Sequence, residues 1–159
     1  RRYVRPLDAR RMGKLMKSSL LSSLEALAQA GIGQPDAIIT GTMYGSLEYS
    51  ERLLEQIRQD GETMLKPTYF MQSTHNTISS NIAIRTRCHG YNVTYTQGKE
   101  SLARAVRDAE MLLRDGKART VLVGCHDEST PLFNSLLKRE GAEELPPVHS
   151  IAMVLSCGE

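Results

Sequence analysis

Tryptophan is absent from this chain, and aromatic residues are few: its 159 residues include two phenylalanines and six tyrosines. Single-stranded nucleic acid is bound largely by stacking bases on aromatic side chains, and no nucleic-acid recognition motif is present, so we expect no nucleic acid partner. Long apolar runs are missing as well. Residues 121–123 and 151–155 form the longest ones, far short of the roughly 20 residues of a membrane span. The sequence therefore predicts no membrane association.

Cysteine is also scarce. The three cysteines, Cys88, Cys125 and Cys157, are an odd number and include no C-x-x-C spacing. This pattern argues against both a disulfide framework and a zinc site. Since no signal peptide is visible, we expect reduced thiols in a cytoplasmic protein, with neither a metal nor a cofactor.

No charge of one sign dominates, because 20 Lys and Arg residues balance 18 Asp and Glu residues. The first seventeen residues are an exception, since seven basic residues there face a single acid, Asp8. This cluster would attract an acidic partner, although a solvated helix face at a loose terminus explains the same pattern. The basic residues are Arg1, Arg2, Arg5, Arg10, Arg11, Lys14 and Lys17.

The length and composition fit one soluble domain over residues 1–159 with a substantial core, since 40% of the residues are hydrophobic and 24% are charged. Helical spacing of apolar residues alternates with short apolar, β-branched runs. Helices between such strands form crossover connections, so the pattern predicts an α/β fold with a largely parallel or mixed sheet that helices cover. The predicted helices lie near residues 12–30 with Asp8 as the cap, 46–60, 74–89, 99–115 and 130–139, the strands near 37–40, 92–96, 119–123 and 151–156, and a loop at 66–71.

Several short motifs occur in the order and at the separations of one known family. They are Gly41-Thr42-Met43-Tyr44-Gly45 after a strand, Pro67 before the helix at Asn76, Cys88-His89-Gly90-Tyr91-Asn92-Val93-Thr94, Asp115-Gly116-Lys117-Ala118 before Val121-Leu122-Val123-Gly124, and Ile151-Ala152-Met153-Val154-Leu155. Together they cover nearly the whole chain. The sequence thus resembles the N-terminal half of the β-ketoacyl-acyl-carrier-protein synthases, and the resemblance implies a thiolase-like fold.

The resemblance also implies where a catalytic cysteine would stand. In that family the nucleophile lies at a sharp turn from strand to helix, where the helix N-terminus favours a thiolate and its free N–H groups hold an oxyanion. The family's spacing, taken from Gly90 or from Gly116, places Lys99 at this position. Lysine does not replace cysteine in thioester chemistry without a large depression of its pKa. The sequence therefore predicts loss of the nucleophile.

The family's two catalytic histidines belong to a second half that these residues do not include. The resemblance therefore implies a non-catalytic subunit or half-domain of a fatty acid, polyketide or aryl polyene system. Chain-length factors are similar in lacking the cysteine and typically carry glutamine there, whereas Gln97 lies two positions early. The residues that we expect to line a binding site are Gln97, Gly98, Lys99, His75 and Asn76.

The same resemblance implies partners. In the family, the strand before the nucleophile turn pairs across a two-fold axis, so we expect a homodimer or a heterodimer with an active ketoacyl synthase. An acidic acyl carrier protein, met by the basic N-terminal region, is a further expected partner. The predicted dimer contact consists of Asn92, Val93, Thr94, Tyr95 and Thr96.

Other residues offer alternatives. Ser101 is a substitute nucleophile, although no base is identifiable beside it. Cys125 and His126 follow the clearest strand and would serve a cysteine-dependent acyltransferase, but neighbours on an extended stretch point to opposite faces, and a tight loop explains them equally. Residues 41–46 would cradle an anion in an unrelated α/β module, although they match no phosphate-binding motif. His75 with Asn76 also fits a helix cap.

Overall fold

The computed structural model describes residue 10 and residues 12–157. Helices lie between successive strands along the chain, as the spacing of apolar residues predicts, and three of them follow β1. A short 3-10 helix, Gly98–Glu100, precedes the fifth α-helix. The α-helices are α1 (Lys14–Gln29), α2 (Leu47–Asp60), α3 (Pro67–Ser73), α4 (Thr77–Thr86), α5 (Ser101–Arg114) and α6 (Pro131–Arg139), and the strands are β1 (Ala37–Gly41), β2 (Asn92–Tyr95), β3 (Thr120–Glu128) and β4 (Val148–Ser156).

The four strands form one mixed sheet in the order β2-β1-β3-β4. Strand β1 runs parallel to β2 and β3, whereas β4 is antiparallel to β3. This arrangement confirms the predicted α/β fold. Gly41, at the end of β1, lies opposite Tyr95 in β2 and Cys125 in β3, so the carboxyl ends of three parallel strands meet at one edge. Ligands of parallel sheets bind at such edges.

Helices cover both faces of the sheet. On one face, α1 and α4 bury Leu20 and Ile82 against Ile38 and Leu122 of the strands. On the other face, the small side chains of Ala105 and Ala109 let α5 pack closely on β1 and β3. The central strands are buried on both sides, which explains why they read as continuous apolar runs.

Several elements differ from the prediction, three of them in ways that matter for the site. The predicted loop at 66–71 is wrong, because Pro67 starts helix α3, where its fixed φ suits the first helical turn. Helix α4 begins at Thr77 rather than Thr74. Strand β3 continues to Glu128 because β4 pairs with it along its full length, so the tight loop considered for residues 125–128 is also wrong.

Helix α1 begins at Lys14, with Gly13 as its N-cap. The predicted cap, Asp8, lies outside the described residues, as do Arg1, Arg2, Arg5 and Arg11 of the basic cluster. In the part of the chain that the structure describes, no helix is long and apolar enough to cross a bilayer.

Candidate functional site

The turn from β2 into α5 lies at the carboxyl edge of the sheet, where the family position of the nucleophile was predicted. Gln97 is the N-cap of the 3-10 helix, Gly98 adopts a positive φ of 59°, and α5 follows from Ser101. Lys99 stands on this turn with an exposed side chain. The structure therefore has a strand, a tight turn and a helix here, with Lys99 on the turn.

Ser101 is buried beneath the same turn, with 1% of its surface exposed. Its hydroxyl contacts the carbonyl oxygens of Thr42 and Gly98, each at 2.8 Å, so its proton is engaged by the backbone. Gly41 makes this approach possible, since a Cβ there would lie 2.8 Å from the Ser101 carbonyl carbon. The hydroxyl joins β1 to α5, and this environment does not suit a nucleophile.

Asp127 organises the loop that follows β1. Its Oδ1 atom accepts hydrogen bonds from Thr42 Oγ1 at 2.7 Å, the Met43 N–H at 2.9 Å and the Tyr44 N–H at 2.8 Å. The Gly45 N–H is also directed at it, at 3.3 Å. The protein's own carboxylate thus takes the N–H groups that the predicted anion site would need, so residues 41–46 hold no free cradle for an external anion.

Glu128 performs a similar task one residue later. One carboxylate oxygen accepts hydrogen bonds from Ser46 Oγ at 3.2 Å and from the Glu48 N–H at 2.9 Å. Burial raises the pKa of Glu128. A carboxylate at the start of α2 complements the positive end of the helix and satisfies an N–H without a partner inside the helix. The two carboxylates at the end of β3 therefore hold the loop that follows β1 and the start of α2.

The predicted binding residues His75 and Asn76 are exposed in front of α4. The His75 ring covers Gly45, because a Cβ at that glycine would lie 3.0 Å from His75 Cδ2. Asn76 occupies the N-cap position of α4 but makes no side-chain hydrogen bond to the helix, so the predicted cap is not formed. His75, the loop after β1 and Ser101 thus converge at the end of β1.

His126 points away from this convergence. Its Nδ1 lies 2.7 Å from the Ser150 hydroxyl, which in turn lies 2.9 Å from the Ser22 hydroxyl on α1. Burial, with a smaller contribution from His149, lowers the pKa of His126 to about 3. Gly124 leaves room for the ring, since a Cβ there would meet His126 Nε2 at 2.3 Å. The imidazole is therefore a neutral, buried part of the sheet–helix packing.

Cys125 does not face His126, because successive side chains of a strand point to opposite faces of the sheet. Burial, followed by the charge of Asp127, raises the pKa of the Cys125 thiol to about 11. A reactive cysteine needs the opposite shift. The geometry thus brings no Cys–His dyad together at these two residues.

Strand β2 occupies one edge of the sheet. The Tyr91 carbonyl accepts a hydrogen bond from the Ile38 N–H of β1 at 2.9 Å, and the Tyr95 carbonyl accepts one from the Thr42 N–H just after β1 at 3.0 Å. Because backbone groups alternate in direction along a strand, the N–H and C=O groups of Asn92 and Thr94 face the open edge. The predicted dimer contact therefore coincides with backbone whose outer side pairs with no other described strand.

Sequence reasoning missed the residues that hold these elements. The sequence contained one indication of the roles of Asp127 and Glu128, because these two carboxylates follow the clearest predicted strand. Nothing in the sequence pattern indicated the role of Asp108. This acid is buried within α5, and its Oδ2 accepts hydrogen bonds from the hydroxyls of Tyr91 and Tyr95, each at 3.0 Å. Burial, with the help of Asp108, raises the pKa of Tyr91 to about 12, which keeps this donor protonated.

Three solved structures share this fold. A ketosynthase in complex with its chain length factor from Xenorhabdus doucetiae matches with a TM-score of 0.80 and 22% identity, covering 98% of this chain and 62% of that one. The ishigamide ketosynthase/chain length factor matches with a TM-score of 0.76 and 19% identity, over 92% and 44%. A type II polyketide synthase acyl-carrier protein in complex with its ketosynthase matches with a TM-score of 0.80 and 14% identity, over 98% and 49%.

This chain thus spans between 44% and 62% of the length of those structures. A search of curated proteins found no match. The model of the β-ketoacyl synthase N-terminal domain, by contrast, matches residues 1–159. With the α/β sheet and the strand–turn–helix at Lys99 in place, the chain belongs to the family of β-ketoacyl synthase N-terminal domains.

Proposed function

We propose that this chain is a non-catalytic, chain-length-factor-like ketosynthase subunit or half-domain of a fatty acid, polyketide or aryl polyene system. The observation that carries the proposal is Lys99, which stands exposed where the family places its cysteine. Nucleophilic lysines lie in desolvated pockets or beside another cation, whereas the side chain of Lys99 is exposed to solvent.

The neighbouring candidates do not replace the missing thiol. The Ser101 proton is engaged by two carbonyl oxygens, and Cys125 lies in surroundings that disfavour its thiolate. We therefore infer that the domain keeps the fold around a condensing site but has no nucleophile there. No observation favours the acyltransferase alternative or the unrelated anion-binding module.

The proposed partners are a second copy of the chain or an active ketoacyl synthase, together with an acyl carrier protein. The free edge of β2 supports the pairing, because a second strand would complete its hydrogen bonds. Two of the similar structures are named as ketosynthases with chain length factors, and a third as a carrier protein with its ketosynthase.

A condensation assay tests the catalytic part of this proposal. We expect the purified chain to form no decarboxylative condensation product from malonyl carrier protein and an acyl thioester. We expect product when the chain is co-purified with a cysteine-containing ketosynthase of the same organism. Condensation by the chain alone would refute the non-catalytic role, and loss of that activity in a Lys99→Ala variant would identify Lys99 as its nucleophile.

The pairing can be tested with proline. Asn92→Pro removes an N–H that faces the open edge, where proline is tolerated, so we expect the monomer to fold but the dimer or co-purified complex to dissociate in light scattering. Val93→Pro is the matched variant on the inward side, and it should destabilise the chain itself. A wild-type chain that stays a strict monomer at high concentration, with or without the synthase, would contradict the proposed assembly.

A further inference from the structure

Helix α1 packs on the sheet through polar side chains as well as apolar ones. Its buried stripe contains Ser19 and Ser23 among leucine and methionine side chains, and both serines are completely buried. His126 of β3 lies on the same face of the sheet, with 1% of its surface exposed. Polar groups taken out of water need hydrogen-bond partners, because each one left unpaired costs free energy. Every donor and acceptor between α1 and the sheet therefore requires a partner.

Most of these polar groups have a partner within the fold. The Ser19 hydroxyl donates to a carbonyl oxygen of its own helix at 3.0 Å. One ring nitrogen of His126, Nδ1, contacts Ser150, which in turn contacts Ser22. Among the described residues, two buried side-chain atoms have no hydrogen-bond partner, and these are His126 Nε2 and Ser23 Oγ.

The two unpartnered atoms lie at the same level of the sheet. Helix α1 starts at the carboxyl edge, where the Leu15 N–H bonds Glu128, and the chain then enters β1 at the amino edge. Ser23 follows Leu15 by eight residues, which is about 12 Å of helix. The same distance back along β3 from Glu128 covers about 3.6 residues and ends between Cys125 and Gly124. Ser23 therefore lies over Gly124, the residue that the Nε2 edge of the histidine ring contacts.

The chemistry of the two atoms selects the ligand that can join them. Burial keeps the imidazole of His126 neutral, so one ring nitrogen donates a hydrogen bond and the other accepts one, and a serine hydroxyl does either. An ion between two uncharged groups would be buried without a countercharge, which is costly. A water molecule donates and accepts, occupies little space and needs two to four polar partners. Water is therefore the ligand that suits both atoms.

We infer that one internal water molecule bridges His126 Nε2 and Ser23 Oγ and so joins β3 to α1. The bridge completes a hydrogen-bonded layer that runs from Ser22 through Ser150 and the imidazole to Ser23. Internal waters of this kind are part of the fold and are costly to remove. The site is independent of the catalytic status of the domain, because it lies on the face of the sheet opposite α5.

Serine-to-alanine variants of α1 test the bridge by the sign of their effect. If the Ser23 hydroxyl had no partner, its removal would leave the equilibrium constant of unfolding unchanged or lower it. Because the hydroxyl binds the water, we expect Ser23→Ala to raise this constant at least about fivefold in urea titration. Ser19→Ala is the matched control for a buried hydroxyl that bonds its own helix. An unchanged or lower constant for Ser23→Ala would overturn the inference.

A double variant assigns the bridge to the histidine. His126→Asn keeps a polar group beside Ser150 but lacks Nε2, so in that background the effect of Ser23→Ala should shrink to less than about twofold. The effect of Ser19→Ala should persist in the same background. Equal effects of Ser23→Ala with and without His126→Asn would also overturn the inference, since the hydroxyl would then have another partner.

A high-resolution crystal structure of the wild-type chain gives the direct observation. We expect a water oxygen about 2.7 to 3.2 Å from both His126 Nε2 and Ser23 Oγ. A direct hydrogen bond between the two side chains would overturn the inference even if the variants were coupled. An apolar contact at this place, with no water between α1 and β3, would do the same.

Discussion

The two ends of the sheet's carboxyl edge differ in how their polar groups are used. At the end of β3, Asp127 and Glu128 accept hydrogen bonds from a hydroxyl and several N–H groups of the loop and of α2. At the end of β2, Lys99 projects into solvent from a turn whose buried hydroxyl, that of Ser101, bonds only backbone. The carboxylates at the first end are engaged in hydrogen bonds within the fold. At the second end, the side chain before α5 is exposed to solvent.

This difference indicates which polar groups the stability of the fold depends on. Buried acceptors with several donors are costly to lose, because each donor left behind pays its own desolvation penalty. An exposed side chain on a turn has no such penalty. The fold should therefore depend on the carboxylates at the end of β3 and not on the exposed side chain of Lys99.

The largest expected effect comes from Asp127→Ala. This change removes the acceptor of one hydroxyl and of the Met43 and Tyr44 N–H groups, so we expect the free energy of unfolding to fall by about 3 kcal/mol. Urea titration measures the loss. Asp127→Asn, which keeps one oxygen acceptor, should lose about half as much, and Asp115→Ala, an exposed acid, should change little. A loss below about 1 kcal/mol for Asp127→Ala would show that the loop does not depend on this carboxylate.

A smaller effect is expected from pH, through His126. Burial lowers the pKa of His126 to about 3, below the value of about 6.5 in an unfolded chain, so the folded state favours the neutral ring. The stabilisation is complete above pH 6.5 and is lost as pH falls, by up to about 1.4 kcal/mol per pH unit. Between pH 6.5 and 5 this histidine should therefore cost about 2 kcal/mol.

The His126→Gln variant isolates that contribution. We expect the slope of unfolding free energy against pH to flatten in this variant but to persist in His89→Gln, which changes an exposed histidine that does not act on His126. Burial raises the pKa of Glu128, so this group acts in the opposite direction, and each variant is compared with the wild type over the same pH range. Equal slopes in His126→Gln and the wild type would contradict the assignment.

Much of the fold was predictable because its signals are local. The apolar stripe of α5, the β-branched run of β1 and the apolar start of β3 follow from neighbours in sequence. The errors arose where tertiary contacts decide. Pairing with β4 extends β3 to Glu128, and no property of residues 125–128 alone predicts that partner.

The position of the candidate site was predictable from the sequence, but the hydrogen bonds that hold its loops and helices were not. The resemblance located Lys99 at the turn, and the structure has that turn at the carboxyl edge. The acceptor roles of Asp127 and Asp108 depend on donors 82 or more and 13 or more residues away in sequence. Such pairs have no periodic signature, so composition and spacing do not reveal them.

The smallest expected effect is that of Lys99 itself. Because its side chain is exposed and forms no ion pair with another described residue, Lys99→Gln should change the free energy of unfolding by less than about 0.5 kcal/mol. Ser101→Ala, two residues later, should cost about 1 to 2 kcal/mol, since it removes a buried hydroxyl that bonds two carbonyl groups. Thermal unfolding of both variants measures the contrast between a side chain on the turn and one beneath it. If Lys99→Gln lowered the free energy of unfolding more than Ser101→Ala, the ammonium group would have a structural partner in the folded chain. Lys99 would then not be the unpaired, exposed side chain on which the non-catalytic proposal depends.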